Sequence, residues 1–367
     1  MSRRRGSKIS RMTIWEWRVR TFTRVVTVLG VLLASSAAAV AQPAWACGCG
    51  AMIADSSVRI SEETSIVRYD AAARTEEIVM RLSAESEAKD AAWLFPTPSE
   101  ATVELGERGW FEELDELTEP RVVTRKVWFP DLGFGSGSDA GSAPAAGGGA
   151  VRVLGERDLG PFRVATLDAS APDALTGWLT DNGYRLSPDL EDALGPYVEQ
   201  GWKYVAVKLR PDSGEALTGE LAPLRVSFSS AELVYPMRLS RLADDPQRLH
   251  LYVLGDHRVE QTTGPSMRLA FAGRVTPEQV DSPRLRRFLG DGLFMTELTD
   301  ARIDPEEIDD DYRFTATDDE PYRQVIHRQE VVRFLGMPAG WLIVFAAGAL
   351  TVALGIALLV RRRTRTT

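Results

Sequence analysis

Two cysteines, Cys47 and Cys49, are the most reactive side chains that this sequence offers. They lie one residue apart in Ala46-Cys47-Gly48-Cys49-Gly50, and the chain has no other cysteine. We favour a local disulfide across Gly48, because oxidising compartments outside the cytoplasm promote such bonds and glycine relaxes the backbone. A bridge this short would be strained and easily reduced. It could therefore clip the chain or exchange electrons with another thiol.

Three other interpretations of the cysteine pair remain open. Cys47 could carry a lipid, although the preceding Ala44-Trp45-Ala46 is a poor lipobox. The two thiolates could belong to a soft metal site, but the sequence shows no obvious cluster of Cys or Met to complete it. The thiols could also stay free or pair with another molecule.

The densest group of carboxylates lies between residues 304 and 320, and it comprises Asp304, Glu306, Glu307, Asp309, Asp310, Asp311, Asp318, Asp319 and Glu320. Carboxylate oxygens are the ligands that Ca²⁺ prefers, and Asp309, Asp310 and Asp311 are the candidates for a calcium site. The spacing does not match an EF-hand loop. The alternative is a solvated segment of mutually repelling charges. No other cofactor is expected.

Catalytic signatures are missing from the sequence. The three histidines, His250, His257 and His327, lie outside any H-E-x-x-H motif, and there is no G-x-S-x-G elbow. His250 and His257 could bind one metal ion from a hairpin, but two separate solvent-facing histidines are the simpler interpretation. With 52 acidic residues, many carboxylate pairs arise by chance and none can be assigned as acid and base. The sequence therefore favours a non-enzymatic role.

A long apolar stretch near the C-terminus determines on which side of a membrane the preceding residues would lie. Residues 339–360 carry no charge, and Arg361, Arg362 and Arg363 follow directly. At about 1.5 Å per residue, a helix of this length crosses the roughly 30 Å of a bilayer core. The arginines would hold its end in the cytoplasm, and Trp341 would lie at the opposite interface. The sequence thus predicts one transmembrane helix that contacts membrane lipid, a juxtamembrane segment 331–338 and a basic cytoplasmic tail 361–367.

The N-terminus has the features of an export signal. Basic residues precede the apolar segment 25–40, and Ala44-Trp45-Ala46 offers a cleavage site that would make residues 1–46 a signal peptide. A cut after Ala41 is the alternative. Either way, we predict a single-pass protein of the cell membrane, with an extracytoplasmic N-terminal domain and a cytoplasmic C-terminus.

The predicted exported part is strongly acidic. The chain has 43 basic and 52 acidic residues, of which the first 46 residues hold eight and one, and the tail holds four basic ones. The remaining 31 basic and 51 acidic residues give a net charge of −20. Such a surface repels phosphate backbones and anionic lipid headgroups, so nucleic acid is not expected as a partner. A protein or a polymer of the cell envelope remains as a partner class.

Short alternating apolar stretches predict an α+β ectodomain that is rich in strands and has a few short helices. Residues 131–150 are rich in Gly, Ala and Ser and predict a flexible loop or linker. We favour two lobes that share an interface, a β-rich lobe 47–130 and an α+β lobe 151–330, over one large domain.

Three local predictions test this interpretation. Pro96 should end the strand that begins at Ala91, since proline cannot donate into a ladder. Residues 233–239 should form one strand. A single short helix should run from Thr276 towards Leu289.

Six short motifs occur in a characteristic order, namely Ala46-Cys47-Gly48-Cys49-Gly50, Ala92-Trp93-Leu94-Phe95-Pro96, Trp178-Leu179 with Asn182-Gly183-Tyr184, Gly201-Trp202, Pro223-Leu224-Arg225 with Val226-Ser227-Phe228, and Val234-Tyr235-Pro236-Met237-Arg238. As a set they resemble domain-of-unknown-function family 2330, a family of secreted bacterial proteins, over about residues 46–330. The resemblance implies an exported and often membrane-tethered domain. It transfers no catalytic residue.

These observations favour a membrane-anchored extracytoplasmic domain with an interaction or structural role at the cell envelope. Two alternatives remain as hypotheses. One is a hydrolase that acts on envelope material through carboxylates, and the other is a thiol-redox or metal-handling protein that uses Cys47 and Cys49.

Overall fold

The structure of this protein is a computed structural model, and it describes residues 44–47, 50–54, 58–86, 88, 91–127, 152–159, 162–168, 172–184, 187–209, 219–334 and 337–363. Strands outnumber helices within these ranges, which confirms the predicted α+β class. None of the helices in the described ranges is long and apolar enough to span a membrane. The predicted loop 131–150 and most of the predicted signal peptide lie outside the described residues.

The first sheet has six antiparallel strands in the order β1-β2-β5-β10-β9-β8. Alternating or continuous apolar residues build these strands, and β2 and β5 are buried along their whole length. The strands are β1 (Ala44–Cys47), β2 (Gly50–Ala54), β5 (Ala91–Thr97), β8 (Arg152–Leu159), β9 (Phe162–Asp168) and β10 (Lys203–Leu209).

The second sheet has nine strands, in the order β19-β16-β17-β14-β3-β4-β12-β6 with β11 beside β4. All its pairs are antiparallel except β3 with β14, which are parallel. The strands are β3 (Val58–Asp70), β4 (Thr75–Ser86), β6 (Thr102–Leu105), β11 (Gly219–Glu220), β12 (Leu224–Ser229), β14 (Gln247–Gly255), β16 (Arg268–Val275), β17 (Leu293–Ile303) and β19 (Tyr322–Arg323).

Three smaller sheets complete the strands. One has the order β13-β18-β15, one pairs β7 with β20 in parallel, and one pairs β21 with β22. Their bounds are β7 (Arg121–Val127), β13 (Leu233–Tyr235), β15 (Val259–Gln261), β18 (Tyr312–Ala316), β20 (Val325–Val331), β21 (Arg333–Phe334) and β22 (Met337–Pro338).

The described helices are α1 (Gly109–Thr118), α2 (Pro172–Asp181), α3 (Pro188–Glu199), α4 (Pro283–Leu289) and α5 (Ala339–Arg363), with short 3-10 turns at Arg238–Leu242, Pro277–Gln279 and Pro305–Glu307. Ser187 and Ser282 cap α3 and α4 by accepting from the backbone N–H three residues on, and a proline follows each serine. Gly183 and Gly201 follow α2 and α3 with φ of +88° and +73°, which only glycine adopts at little cost.

Four layers result from the alternation of apolar side chains along the strands. The main core lies between the two sheets. The outer face of the first sheet packs against α2 and α3, and the outer face of the second sheet packs against α1 and α4. Each sheet therefore buries both of its faces over most of its area.

Strands from both sides of residues 131–150 contribute to both sheets. The first sheet places β5 next to β10, and the second places β4 next to β12 and β3 next to β14. Residues 47–130 and 151–330 therefore share both sheets, through ladders that no local pattern reveals.

Pro96 does not end its strand, contrary to the sequence prediction, because β5 continues to Thr97. The ladder between β5 and β2 stops at the pair of Leu94 with Ala51. Pro96 pairs only with Tyr204 on β10. The missing N–H of proline costs little at a position where the strand has one neighbour.

Two other local predictions were wrong. The strand predicted over residues 233–239 ends at Tyr235, and a 3-10 turn begins at Arg238 after Pro236. The helix predicted from Thr276 breaks into the 3-10 turn Pro277–Gln279 and α4, because Ser282 and Pro283 start a new helix with its own cap.

The start of the described chain bears on the predicted cleavage site. Ala44–Cys47 forms β1 and pairs with β2 from Ala44 opposite Ile53 to Cys47 opposite Gly50. The predicted cut after Ala46 therefore lies within a paired strand. The alternative cut after Ala41 lies ahead of it.

A glycine in this hairpin supplies a stability test. A Cβ on Gly50 would lie 2.8 Å from Trp93 Nε1 and would collide with the carbonyl oxygen of Leu94. We expect Gly50→Ala to lower the free energy of unfolding by about 2 kcal/mol in a urea titration, since overpacking of a tight core costs 1–3 kcal/mol. Gly177→Ala on α2, where nothing lies within 4 Å of the new Cβ, should raise it slightly. Equal changes in the two variants would contradict this account.

Candidate functional site

Asp311, one residue before β18, is fully buried and connects three parts of the fold. Its Oδ1 accepts hydrogen bonds from the Tyr197 hydroxyl on α3 and from the backbone N–H groups of Met237 at 2.8 Å and Arg238 at 3.1 Å. The two N–H groups are free to donate because a 3-10 turn begins there and leaves its first donors without partners. Burial raises the pKa of Asp311, against these hydrogen bonds.

The neighbouring Asp310 is paired with arginines. Arg238 Nε donates to Asp310 Oδ1 at 2.9 Å, and Arg313 Nη1 lies 3.3 Å from its Oδ2. Partial burial would raise the pKa of Asp310, but the hydrogen bonds and charges of the arginines hold it below its ordinary value. Asp309, one residue earlier, is exposed.

The predicted calcium ligands therefore have three different environments. Asp310 pairs with an arginine, Asp311 accepts hydrogen bonds from backbone N–H groups in the interior, and Asp309 faces solvent. Within the described ranges no group of three or more His, Cys, Asp or Glu side chains could hold a metal ion. Calcium binding stays a prediction that a titration must decide.

A second buried cluster adjoins the first through Tyr235, which is fully buried on β13. Its hydroxyl donates to Glu63 Oε1 and lies 2.7 Å from Ser65 Oγ. Glu63 and Ser65 both lie on β3, in the middle of the second sheet. The segment 234–238 thus connects this sheet to β18 and α3.

A row of polar side chains crosses the outer face of the second sheet where the cover of α1 ends. Strand register brings together Arg268, Thr299, His250, Thr64 and Arg81 from five adjacent strands. We call this set the polar row. The Arg268 guanidinium donates to Thr299 Oγ1 at 3.2 Å. His250 and Arg81 are partly exposed, whereas Thr64 is buried.

The polar row includes the histidine with the best catalytic geometry. His250 Nε2 lies 2.7 Å from Glu297 Oε1, and the other oxygen of Glu297 has no partner among the described residues. The neighbouring Tyr252 hydroxyl donates to Asp115 at 3.4 Å, and burial raises its pKa. A histidine oriented by a carboxylate can accept and return a proton. The arrangement could therefore serve acid–base chemistry.

The other histidines have separate environments. His257 Nδ1 lies 3.2 Å from Asp319 Oδ2 in an exposed pair, away from the Glu297 partner of His250. His327 is exposed on β20. The hypothesis of one metal ion shared by His250 and His257 receives no support from these pairings.

Several predicted residues lie wholly or partly outside the described residues. Cys49 is one of them, and for Cys47 the structure describes the strand but not the side chain, so the predicted disulfide stays a prediction. Arg361 is exposed at the end of α5. The side chains of Trp341, Arg362 and Arg363 are not described.

Comparison with known families identifies the family of this chain. The sequence profile of domain-of-unknown-function family 2330, described as an uncharacterized protein conserved in bacteria, matches residues 43–315. The chain belongs to this family. The match covers the first sheet, every strand of the second sheet except β19, the polar row and the Asp311 network. It ends within β18, before β20 and α5.

Similarity to other proteins adds little. Solved structures that match include the crystal structure of baculovirus P35, at 12% sequence identity over 73% of this chain and 98% of that chain, with a TM-score of 0.30. A likeness of this size supports no statement about fold or function. No curated protein matches the chain.

The motifs that resembled family 2330 now have physical roles. Ala92–Pro96 lies in β5 at the centre of the first sheet, and Val234–Arg238 supplies Tyr235 and the two N–H donors of Asp311. Gly183 and Gly201 end α2 and α3 in left-handed backbone. The described residues of these motifs therefore contribute strands, helix ends and buried hydrogen bonds to the fold.

Sequence reasoning missed the polar row and the partner of Asp311. The alternation Leu249-His250-Leu251 indicated that His250 faces away from the core, and this signal was available. The sequence could not reveal that Thr299, Thr64 and Arg81 lie in the same row, because their alignment depends on the register of neighbouring strands.

Proposed function

We propose that this member of family 2330 is a membrane-tethered domain that presents an acidic, strand-rich body outside the cytoplasm. Its role there is to bind a component of the cell envelope or to support the envelope structurally. The proposal depends above all on α5, whose large apolar side chains are exposed in the described structure.

The apolar side chains of α5 support the tether. Every side chain from residue 343 to residue 358 is exposed, and the large apolar ones are 47–68% exposed: Ile343, Val344, Phe345, Leu350, Val352, Leu354, Ile356 and Leu358. Apolar surface in water costs about 25 cal/mol per Å², so a helix with apolar residues on all sides is unstable there. The whole segment 339–360 is uncharged in sequence and ends at Arg361. Lipid is the solvent that suits such a segment.

The buried polar contacts and the charge of the extracytoplasmic part favour a binding or structural role. The buried groups Glu76, Asp311 and Tyr197 connect strands or helices to one another, and burial raises the pKa of each. Buried polar networks of this kind make a fold rigid and specific. The net charge of −20 between residues 47 and 360 also suits a basic or cation-rich partner.

The tether can be tested with two charged substitutions. Full-length chain carrying both Leu350→Arg and Leu354→Arg should be released from bacterial membranes by alkaline carbonate, because each arginine at mid-bilayer costs about 2.5–3.5 kcal/mol of insertion free energy. The unmodified chain should stay in the pellet. Leu105→Arg, a change at a 45% exposed leucine of the body, is the matched control and should also stay.

Topology needs a second measurement. External protease added to spheroplasts should digest the body while a cytoplasmic marker survives. Release of the unmodified chain by carbonate would disprove the tether. An intact body beside a digested surface marker would disprove the extracytoplasmic placement.

A further inference from the structure

The parallel pair of β7 and β20 is unlike the rest of the fold, and we call it the basic ribbon. Its register runs without interruption from Arg121 opposite Val325 to Val127 opposite Val331. The two strands form a sheet of their own. All the side chains described on β7 are exposed, and so are those of Val325 to Arg328 on β20.

Such a ribbon is an unusual arrangement in water. Isolated two-stranded sheets are marginally stable, and parallel strands normally have both faces covered. The ribbon nevertheless exposes apolar side chains on both faces. Val122 and Ile326, which are opposite each other, are 48% and 43% exposed, and Val123 and Val325 on the other face are 37% and 43% exposed. These numbers indicate a surface that lacks a partner in the described structure.

The charge of the ribbon is opposite to that of the body. Residues 121–127 and 325–331 contain four basic side chains, Arg121, Arg125, Lys126 and Arg328, against the single acid Glu330. The stretch from residue 47 to residue 360 as a whole has a net charge of −20. An anionic partner therefore complements the ribbon and is repelled by the rest of the body.

The position of the ribbon identifies that partner. Its base is tied to α1, because the Arg323 guanidinium donates to the carbonyl oxygens of Leu117 at 2.9 Å and Glu119 at 2.7 Å. Its other end adjoins α5, since the backbone N–H of Ala339 donates to the carbonyl oxygen of Val332 at 2.8 Å. If α5 lies in a membrane, the ribbon is at the membrane surface.

We propose that the basic ribbon docks on anionic phospholipid headgroups at the outer surface of the membrane that holds α5. The inference rests on the proposed tether. Arg125, Lys126 and Arg328 contact phosphate groups, and the exposed valines and Ile326 enter the interface between headgroups and acyl chains. Docking covers the ribbon and sets the orientation of the body relative to the bilayer.

The test is amide hydrogen exchange of the full-length chain in two kinds of vesicle. One kind is phosphatidylcholine alone, and the other is equal parts of phosphatidylcholine and phosphatidylglycerol. Exchange in peptides that cover residues 121–127 and 325–331 should be about tenfold slower in the anionic vesicles, and high salt should remove the difference. Exchange in β5, at the centre of the first sheet, should not depend on the lipid.

Charge reversal supplies the matched pair of variants. Arg125→Glu combined with Lys126→Glu should abolish the lipid-dependent protection. Arg241→Glu combined with Arg248→Glu changes the net charge equally at exposed positions of the body and should preserve it.

Each other outcome overturns the inference in a recognisable way. Equal protection in both vesicles and in detergent would mean that another part of the chain, such as residues 128–151, covers the ribbon. Protection that grows with the protein-to-lipid ratio would mean that two copies pair. A chain that carbonate releases would refute the tether itself, whereas a retained chain with an unprotected ribbon would refute only the docking.

Discussion

Asp311→Ala is expected to lower the free energy of unfolding by about 3 kcal/mol, the largest loss from any single carboxylate of the acidic segment. The side chain is fully buried, and its removal leaves the Tyr197 hydroxyl and the N–H groups of Met237 and Arg238 without an acceptor. A buried donor that loses its partner costs about 1–3 kcal/mol. Urea unfolding of the purified full-length protein in detergent, followed by circular dichroism, measures the loss.

The chain supplies a control two residues away. Asp309 carries the same side chain but is exposed, so Asp309→Ala should change stability by less than about 0.5 kcal/mol. Asp311→Asn keeps one acceptor oxygen and should lie between the two. If the alanine variants at 309 and 311 unfold at the same urea concentration, Asp311 does not organise this junction.

Glu76→Gln is expected to stabilise the protein, by an amount that grows as the pH rises. Glu76 is fully buried on β4, its Oε2 accepts from the Val234 N–H at 3.3 Å, and its Oε1 has no partner among the described residues. Burial raises the pKa of Glu76 well above its ordinary value of 4.5, and the charge of Glu232 adds to the rise, against the Val234 hydrogen bond. The folded protein therefore holds a proton there that the unfolded chain releases.

The sign of the pH dependence follows from this difference in proton binding. Below the pKa of the unfolded carboxyl both states are protonated, and glutamine and glutamate should be nearly equivalent. Above it, each pH unit up to the folded pKa lowers the stability of the unmodified protein by about 1.4 kcal/mol relative to the variant. At pH 7 the variant should be more stable than the unmodified protein.

Urea unfolding at several pH values between 4 and 8 measures the divergence. Glu62→Gln, a change at an exposed glutamate on β3, is the control and should parallel the unmodified protein. If Glu76→Gln and the unmodified protein keep a constant difference over this range, the carboxyl is already ionised in the fold.

Local patterns were sufficient for much of the secondary structure. The apolar spacing of Trp110 and Leu114 is typical of a helix and falls in α1, and the pair Ser187-Pro188 is typical of a helix start and stands at the start of α3. The signals failed where a distant group changed the outcome. Residues 233–239 look like a strand, but Pro236 and the carboxylate of Asp311 favour a turn at Met237 and Arg238. A partner 74 positions away in sequence leaves no local trace.

The candidate sites show the same division. His250 and the acidic segment were visible as residue types, but their partners were not. Glu297 reaches His250 because β14 and β17 are adjacent, and Arg238 reaches Asp310 because β13 and β18 pair. Residue identity indicates what a side chain can do, whereas register decides which groups it meets.

The sequence alone was sufficient for the α+β class and the resemblance to family 2330, because both depend on patterns of neighbouring residues. The acidic character between the two ends of the chain follows directly from composition. The fold had to be seen to learn that residues on both sides of 131–150 share two sheets, that Asp311 is buried and that β7 and β20 form an exposed ribbon. These features arise from contacts between residues far apart in sequence, which the balance of burial and hydrogen bonding over the whole molecule selects.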